Sequence, residues 1–476
     1  MARDIYREFL ELCAFEGEEL DKMVPVWEKY SKKLGLTEED IRYSLEVYIP
    51  KYWDIQYLGV RKMIGAYIRE AIELAKTPEY KEQGVKIVYG ILPAIATNYQ
   101  AVKIAGGDKV FVSFPDLQLV TILNAFFDKV IDDYLETAEE TGMTYGCRHC
   151  ALNKTRIGAA YKGIIPSPDV IWVWGFNCDE GPKTDEYINC LFDEDWNYVV
   201  SRIPHDTHAG EIDDENVERV TYIANQLRHG QNAVSEATGI EVLPEHVAQA
   251  NDDVRRFAFK TGTLTKLVCS GNPQPLSGSA LTIFTQPMTV PMNTGFTYIE
   301  EALDIMIREC RQAKKEGTGI LPKDHPKVGS YFVPFCVPWV DGIFKENGVA
   351  TTFSTNFAQT KKNLAPPSYE EPYMVTAEFW LRQPVLQNMK YEVVGMIEKV
   401  ENNKPIDGLL MGFFDFDRWL GAHQKMAAKL IEDATGVPTF YMESDFWEDR
   451  DYSPEALRTR IESVCQVVKM RKEMGM

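Results

Sequence analysis

Two cysteines three residues apart, Cys147 and Cys150, enclose Arg148 and His149 and lead into Ala151-Leu152-Asn153-Lys154. That spacing lets both thiolates reach one metal, and the residues after Cys150 have helical character to about Tyr161. A thiolate at a helix start is stabilised by the partial positive charge there. Two half-buried structural thiols are the competing reading. A thioredoxin-like redox pair fits less well, because such a pair opens the first helix of a small domain and this one lies deep inside a long chain. His149 is placed to donate a hydrogen bond to a cluster or a substrate, although a lone loop histidine is more often simply solvated.

A third thiol, Cys178, stands in Gly175-Phe176-Asn177-Cys178-Asp179, directly after the apolar run Val170-Ile171-Trp172-Val173-Trp174. Such a run suits a parallel strand covered on both faces, and its carboxyl end is where open α/β sheets bind ligands. A buried strand-end thiol is the plainer alternative. His205 and His208 have the spacing of a metal pair, but no further ligands accompany them. Cys190, Cys269, Cys310, Cys336 and Cys465 lie in apolar or helical surroundings, where buried thiols are the default. Neither a Gly-x-x-x-x-Gly-Lys-Ser/Thr phosphate loop nor a Gly-x-Gly-x-x-Gly after a strand is present, so no nucleotide site is expected on these motifs.

The elements that must hold these residues alternate in type. Residues 1–80 show helical spacing with many charges and are expected to form a helical N-terminal extension. Residues 81–212 are expected to form a first α/β domain carrying the cysteines, with strands at Val85–Gly90, Lys109–Val112 and Asp169–Gly175. Residues 213–325 return to helical spacing, broken by Pro273-Gln274-Pro275 and Pro287 to Pro291, as in a helical insert. Residues 326–476 are expected to form a second α/β domain, with strands at Ser330–Phe335, Val349–Phe353, Gly408–Phe413 and Pro438–Met442. The fold class is therefore α/β, with two doubly wound parallel-sheet domains.

At 476 residues, 45% hydrophobic and 26% charged, the chain can bury more than one substantial core. Its net charge of −20 and the lack of a basic patch argue against nucleic-acid binding. No apolar run is long enough for a membrane span, and the charged start Met-Ala-Arg-Asp is unlike a signal peptide, so a cytoplasmic protein is expected. Nine scattered cysteines do not suggest a disulfide framework.

In Cys150, Lys154 and Gly158, in Pro168-Asp169-Val170 leading to Cys178-Asp179, and in Gly436-Val437-Pro438-Thr439-Phe440-Tyr441-Met442-Glu443-Ser444-Asp445 followed by Arg458-Thr459-Arg460-Ile461-Glu462, the chain resembles the 2-hydroxyacyl-CoA dehydratase and benzoyl-CoA reductase family. The resemblance implies a subunit built from two α/β domains, paired with a homologous second subunit. It implies a [4Fe–4S] cluster held by three cysteines, with one iron open, and a separate homodimeric ATPase activator that delivers one electron. It also implies an acyl-CoA substrate that loses water through a ketyl radical, or an aromatic acyl-CoA that is reduced. Two cluster ligands map to Cys150 and Cys178. The third normally follows the strand equivalent to Leu409–Phe413, where this chain has Asp417, a harder oxygen ligand. Cys147 competes with Asp417 for that place. A subunit that has lost its cluster and only supports its partner remains a third reading.

Overall fold

The computed structural model describes residues 4–92, 94–129, 131–143, 149–175, 180–191, 197–203, 214–331, 337–355, 358–383, 389–413, 418–444, 447–448, 450 and 453–475. The chain begins with helices α1 (Ile5–Leu12), α2 (Gly17–Lys33), α3 (Glu38–Tyr43), α4 (Ile49–Tyr52), α5 (Leu58–Ala75) and α6 (Thr77–Glu82). Local chemistry sets their starts: Thr37 and Asp40 form a reciprocal capping box at the head of α3.

The first sheet follows, built from β1 (Lys86–Gly90), α7 (Ala96–Gly106), β2 (Val110–Ser113), α8 (Pro115–Phe127), α9 (Asp132–Glu140), α10 (Ala151–Tyr161), β3 (Val170–Gly175), α11 (Glu180–Leu191) and β4 (Tyr198–Arg202). Four helices come next: α12 (Asp214–Thr238), α13 (Pro244–Cys269), α14 (Gly278–Ile283) and α15 (Thr297–Glu316). The second sheet is made by β5 (Lys327–Ser330), α16 (Pro338–Glu346), β6 (Ala350–Ser354), α17 (Pro372–Leu381), α18 (Met389–Asn402), β7 (Gly408–Phe413), α19 (Arg418–Thr435) and β8 (Thr439–Ser444). Helix α20 (Pro454–Glu473) closes the chain.

Both sheets are wholly parallel and share one order, β2-β1-β3-β4 and β6-β5-β7-β8. Strand order reverses between β1 and β3 in one and between β5 and β7 in the other, and in open sheets of this kind the carboxyl ends at such a reversal are the usual ligand-binding position. The expected α/β class with two doubly wound parallel sheets is what the chain adopts. Two strand readings differ. Strand β4 was not foreseen, and the ladder expected at Ser330–Phe335 runs instead over Lys327–Ser330, where Lys327 is buried and its Nζ donates to the carbonyls of Cys269 and Gly271.

One large apolar cluster links the N-terminal helices, the first sheet and the helices between the sheets, with Phe9, Trp27, Tyr89 and Trp172 fully buried in it. A smaller cluster around Val393, Met396, Leu409 and Ile431 packs under the second sheet. Glu309 of α15 accepts the N–H groups of Leu58 (2.8 Å) and Gly59 (2.9 Å), so the start of α5 is capped from across the fold. Among the described residues no helix is long and apolar enough to cross a membrane.

Candidate functional site

Helix α10 precedes β3 in the chain and packs against α8, α9 and α11. Cys150 is the N-cap, outside the helical region at φ −55° and ψ 134°, and its carbonyl accepts from Lys154 N at 3.1 Å to begin the helix. Its side chain makes no capping bond, and the residue is half-buried and not in a disulfide. The Cys150 N–H donates to Glu180 Oε2 at 2.8 Å. His149 Nε2 pairs with Thr184 Oγ1 at 2.9 Å, and its Nδ1 lies 3.8 Å from Glu180 Oε2. Glu180 opens α11 two residues beyond Cys178. The structure thus brings Cys150 and His149 onto the first turn of the helix that follows Cys178 in the chain.

Every residue of α10 from Ala151 to Ala159 is buried, although Lys154 and Arg156 are among them. A buried charge needs partners. Arg156 is fully buried and donates to Asn153 Oδ1 (3.2 Å) and Gly181 O (3.1 Å), with Asp185 at 3.5 Å and Asp116 at 3.8 Å. Burial raises the Asp116 carboxyl above its ordinary value, with Arg156 pulling the other way. These contacts bind α8, α10 and α11 together beneath Cys150. Gly158 permits the other close approach: a Cβ there would stand 2.0 Å from Tyr134 O on α9.

Lys154 reaches the stretch beyond β8, with Nζ 3.9 Å from Glu448 Oε2, and both side chains are about 5% exposed or less. Glu448 also holds Arg450 through Nε (2.6 Å) and Nη2 (2.7 Å), and Arg450 Nη2 reaches back to Glu139 on α9 at 2.7 Å. Nearby, Trp174 at the end of β3 meets Trp380 of α17 edge-on, with centroids 5.1 Å apart. The region around α10 and the end of β3 thus touches both the stretch beyond β8 and helix α17.

Of the sequence-derived ligands, Cys150 and the neighbouring His149 take this position; Cys147, Cys178 and Asp417 lie outside the described residues, as do His205, His208 and Cys336. Among the described residues no group of three or more His, Cys, Asp or Glu side chains is arranged around a metal. Cys269, Cys310 and Cys465 are buried as expected, and burial pushes each thiol up to about 12, which disfavours ligation. Cys190 departs from that expectation: it lies on the outer face of the last turn of α11 and is exposed. Sequence reasoning missed Glu180, Thr184, Asp185, Glu448 and Arg450. The signal for partners of this kind was Lys154 and Arg156 in a helix with no polar face.

With two like-ordered, wholly parallel four-stranded sheets and a cysteine at a helix head, the chain is an α/β protein of the parallel-sheet class. Residues 121–468 match the family 2-hydroxyglutaryl-CoA dehydratase, D-component, and this chain belongs to that family. No curated protein matches the chain.

Proposed function

We propose that this protein is the iron–sulfur subunit of an ATP-activated 2-hydroxyacyl-CoA dehydratase, which eliminates water from a 2-hydroxyacyl-CoA through a ketyl radical. The observation that carries the reading is the placement of Cys150, half-buried at the head of α10 and bonded through its N–H to the first residue of α11. The donor set suits a [4Fe–4S] cluster: thiolates of Cys150 and Cys178, with Asp417 as third ligand and Cys147 as its competitor. Cys178 and Asp417 follow β3 and β7, strands at the same position of two sheets with the same order. That equivalence favours Asp417.

When bound, such a cluster supplies a low-potential electron and an open iron acting as Lewis acid. The chain's own residues do the rest. Cys150 is pre-oriented by Glu180, and the helix N-terminus favours its thiolate. His149, held on Thr184 through Nε2, is the proton-carrying group beside it, with Nδ1 toward Glu180. Lys154 and Glu448 tie α10 to the stretch beyond β8. In this reading a second, homologous component and a homodimeric ATPase activator complete the enzyme; the D-component description supports the existence of a partner component. Dehydration is preferred over ring reduction because the matched family is a dehydratase.

Anaerobic purification with iron and sulfide analysis tests the proposal. About four irons per chain supports it; a chain that binds none after reconstitution is instead a partner subunit without a cluster. Loss of water from a 2-hydroxyacyl-CoA, once the partner component and an ATP-driven donor are added, tests the reaction itself.

A further inference from the structure

Helix α7 starts inside the protein without a cap. Every residue from Ala94 to Val102 is buried, and the N-cap Ile95 offers no side-chain bond. The N–H groups of Ala96, Thr97 and Asn98 meet no acceptor among the described residues. A helix head carries roughly half a unit of positive charge and a set of unpaired donors, so a buried one calls for an acceptor. At two other buried heads the chain supplies a carboxylate. Glu309 receives Leu58 N and Gly59 N on its two oxygens at α5, and at α14 Asp54 and Asp341 accept from Ser277 N (2.8 Å) and Ser279 N (3.1 Å).

Side chains of a first turn lean toward the helix head. In α7 these are Thr97 and Asn98, 1% and 0% exposed, and neither Thr97 Oγ1 nor Asn98 Oδ1 has a hydrogen-bond partner. Asn98 Nδ2 donates to Gln231 Oε1 at 3.3 Å, and Gln231 of α12, itself fully buried, has an unpaired Nε2. The next residue of α7, Tyr99, lies against Gly90 at the end of β1 and donates to Trp172 O at 2.6 Å. Gly230 lets α12 press on β3, since a Cβ there would stand 2.5 Å from the Trp172 ring. Two residues further along the same face of β3, the buried Trp174 indole N–H is also without a partner. The head of α7, Gln231 and Trp174 thus gather where β1 and β3 end, at the reversal of strand order. Buried polar atoms are costly to leave unpaired, and donors prevail among these, which selects a negatively charged acceptor.

We propose that the head of α7, with Thr97, Asn98, Gln231 and Trp174, is a binding position for the carboxylate of a small ligand. The bidentate hold of Glu309 on the head of α5 shows how two carboxylate oxygens fit such N–H groups. The position needs neither a cluster nor Cys150, so it stands or falls apart from the dehydratase reading.

The test uses the full, metal-free chain and reads thermal unfolding and tryptophan fluorescence while acetate or succinate is titrated against chloride at equal ionic strength. The carboxylates should raise the melting temperature and change the fluorescence saturably, and chloride should do neither. Gln231→Glu keeps an acceptor for Asn98 Nδ2 but sets a negative charge beside the head, and should weaken carboxylate binding about tenfold or more. Asn98→Asp places a carboxylate on the head itself; it should raise the melting temperature without ligand and abolish the response. No response in wild type, or the same response to chloride, means that ordered water alone satisfies the head and overturns the proposal. Wild-type affinity in both variants places the ligand elsewhere and overturns it too. Should Gln231→Glu not fold, Gln231→Met removes the donor without adding charge, and unchanged affinity in that variant counts against the proposal in the same way.

Discussion

Raising the pH should stabilise this protein through one buried amine, and Lys399→Met should abolish the effect. Lys399 is wholly buried, and that burial pushes its amine from 10.5 down to about 7, against the pull of Glu392 and Glu398. In the unfolded chain the amine keeps its proton up to the ordinary value, whereas the folded protein gives it up near neutrality. Between about pH 7 and 10.5 the unfolded state therefore binds more protons, and stability rises with pH. Below that window both states are protonated and the cost of the buried ammonium is constant. At about 1.4 kcal/mol per pH unit, the shift amounts to roughly 5 kcal/mol across the window. Chemical denaturation followed by tryptophan fluorescence, at several pH values for wild type and Lys399→Met, isolates this group, because the other titrations cancel in the difference. The variant should gain most relative to wild type at the acidic end and lose that advantage toward pH 10. A difference constant to within about 0.5 kcal/mol, the scatter expected of unrelated sites, would refute the reasoning.

Cys150→Ser should separate ligation from folding. Serine is a good N-cap and Cys150 makes no capping bond, so the metal-free variant should be as stable as wild type or up to about 1 kcal/mol more so, while iron bound after reconstitution falls; full iron loading would remove Cys150 from the ligand set. Gly158→Ala forces α10 away from α9, because the new Cβ would stand 2.0 Å from Tyr134 O, and should cost on the order of 1–3 kcal/mol in thermal denaturation. The same shift should loosen the His149 and Cys150 bonds to α11, seen as faster amide exchange at Cys150. Glu448→Ala leaves Lys154 and Arg450 without a shared carboxylate and should cost about 3–5 kcal/mol. Lys154→Met should cost less, since Glu448 retains Arg450, and a double-mutant cycle should show the two sites coupled rather than additive.

What could be read from the amino acids, and what could not, follows from the range of the interactions involved. Strand β3 was legible because Val170–Trp174 is apolar on both faces, as a central parallel strand must be. Strand β4 was not, because Tyr198–Arg202 lies at the sheet edge with mixed exposure, between polar segments that mask it. At β5 the aromatic residues from Tyr331 onward drew the strand too late, while the true ladder contains Gly329 and starts on a buried lysine whose carbonyl partners lie more than fifty residues earlier in the chain. The site divides in the same way. Cys150 at a helix head is local information, carried by spacing and by the run that follows it. Its orientation depends on Glu180 and Thr184, about thirty residues away, and the contact with the stretch beyond β8 depends on Glu448, about three hundred away; no spacing rule links these. Yet the need for them was written locally. A helix buried from Ala151 to Ala159 that still contains lysine and arginine can exist only if distant carboxylates and carbonyls converge on it, since an unpaired buried charge costs more than such a fold can bear. Ionisable residues at apolar helix positions thus announce a junction before its partners can be named, and here the junction holds the cysteine with the strongest claim to chemistry.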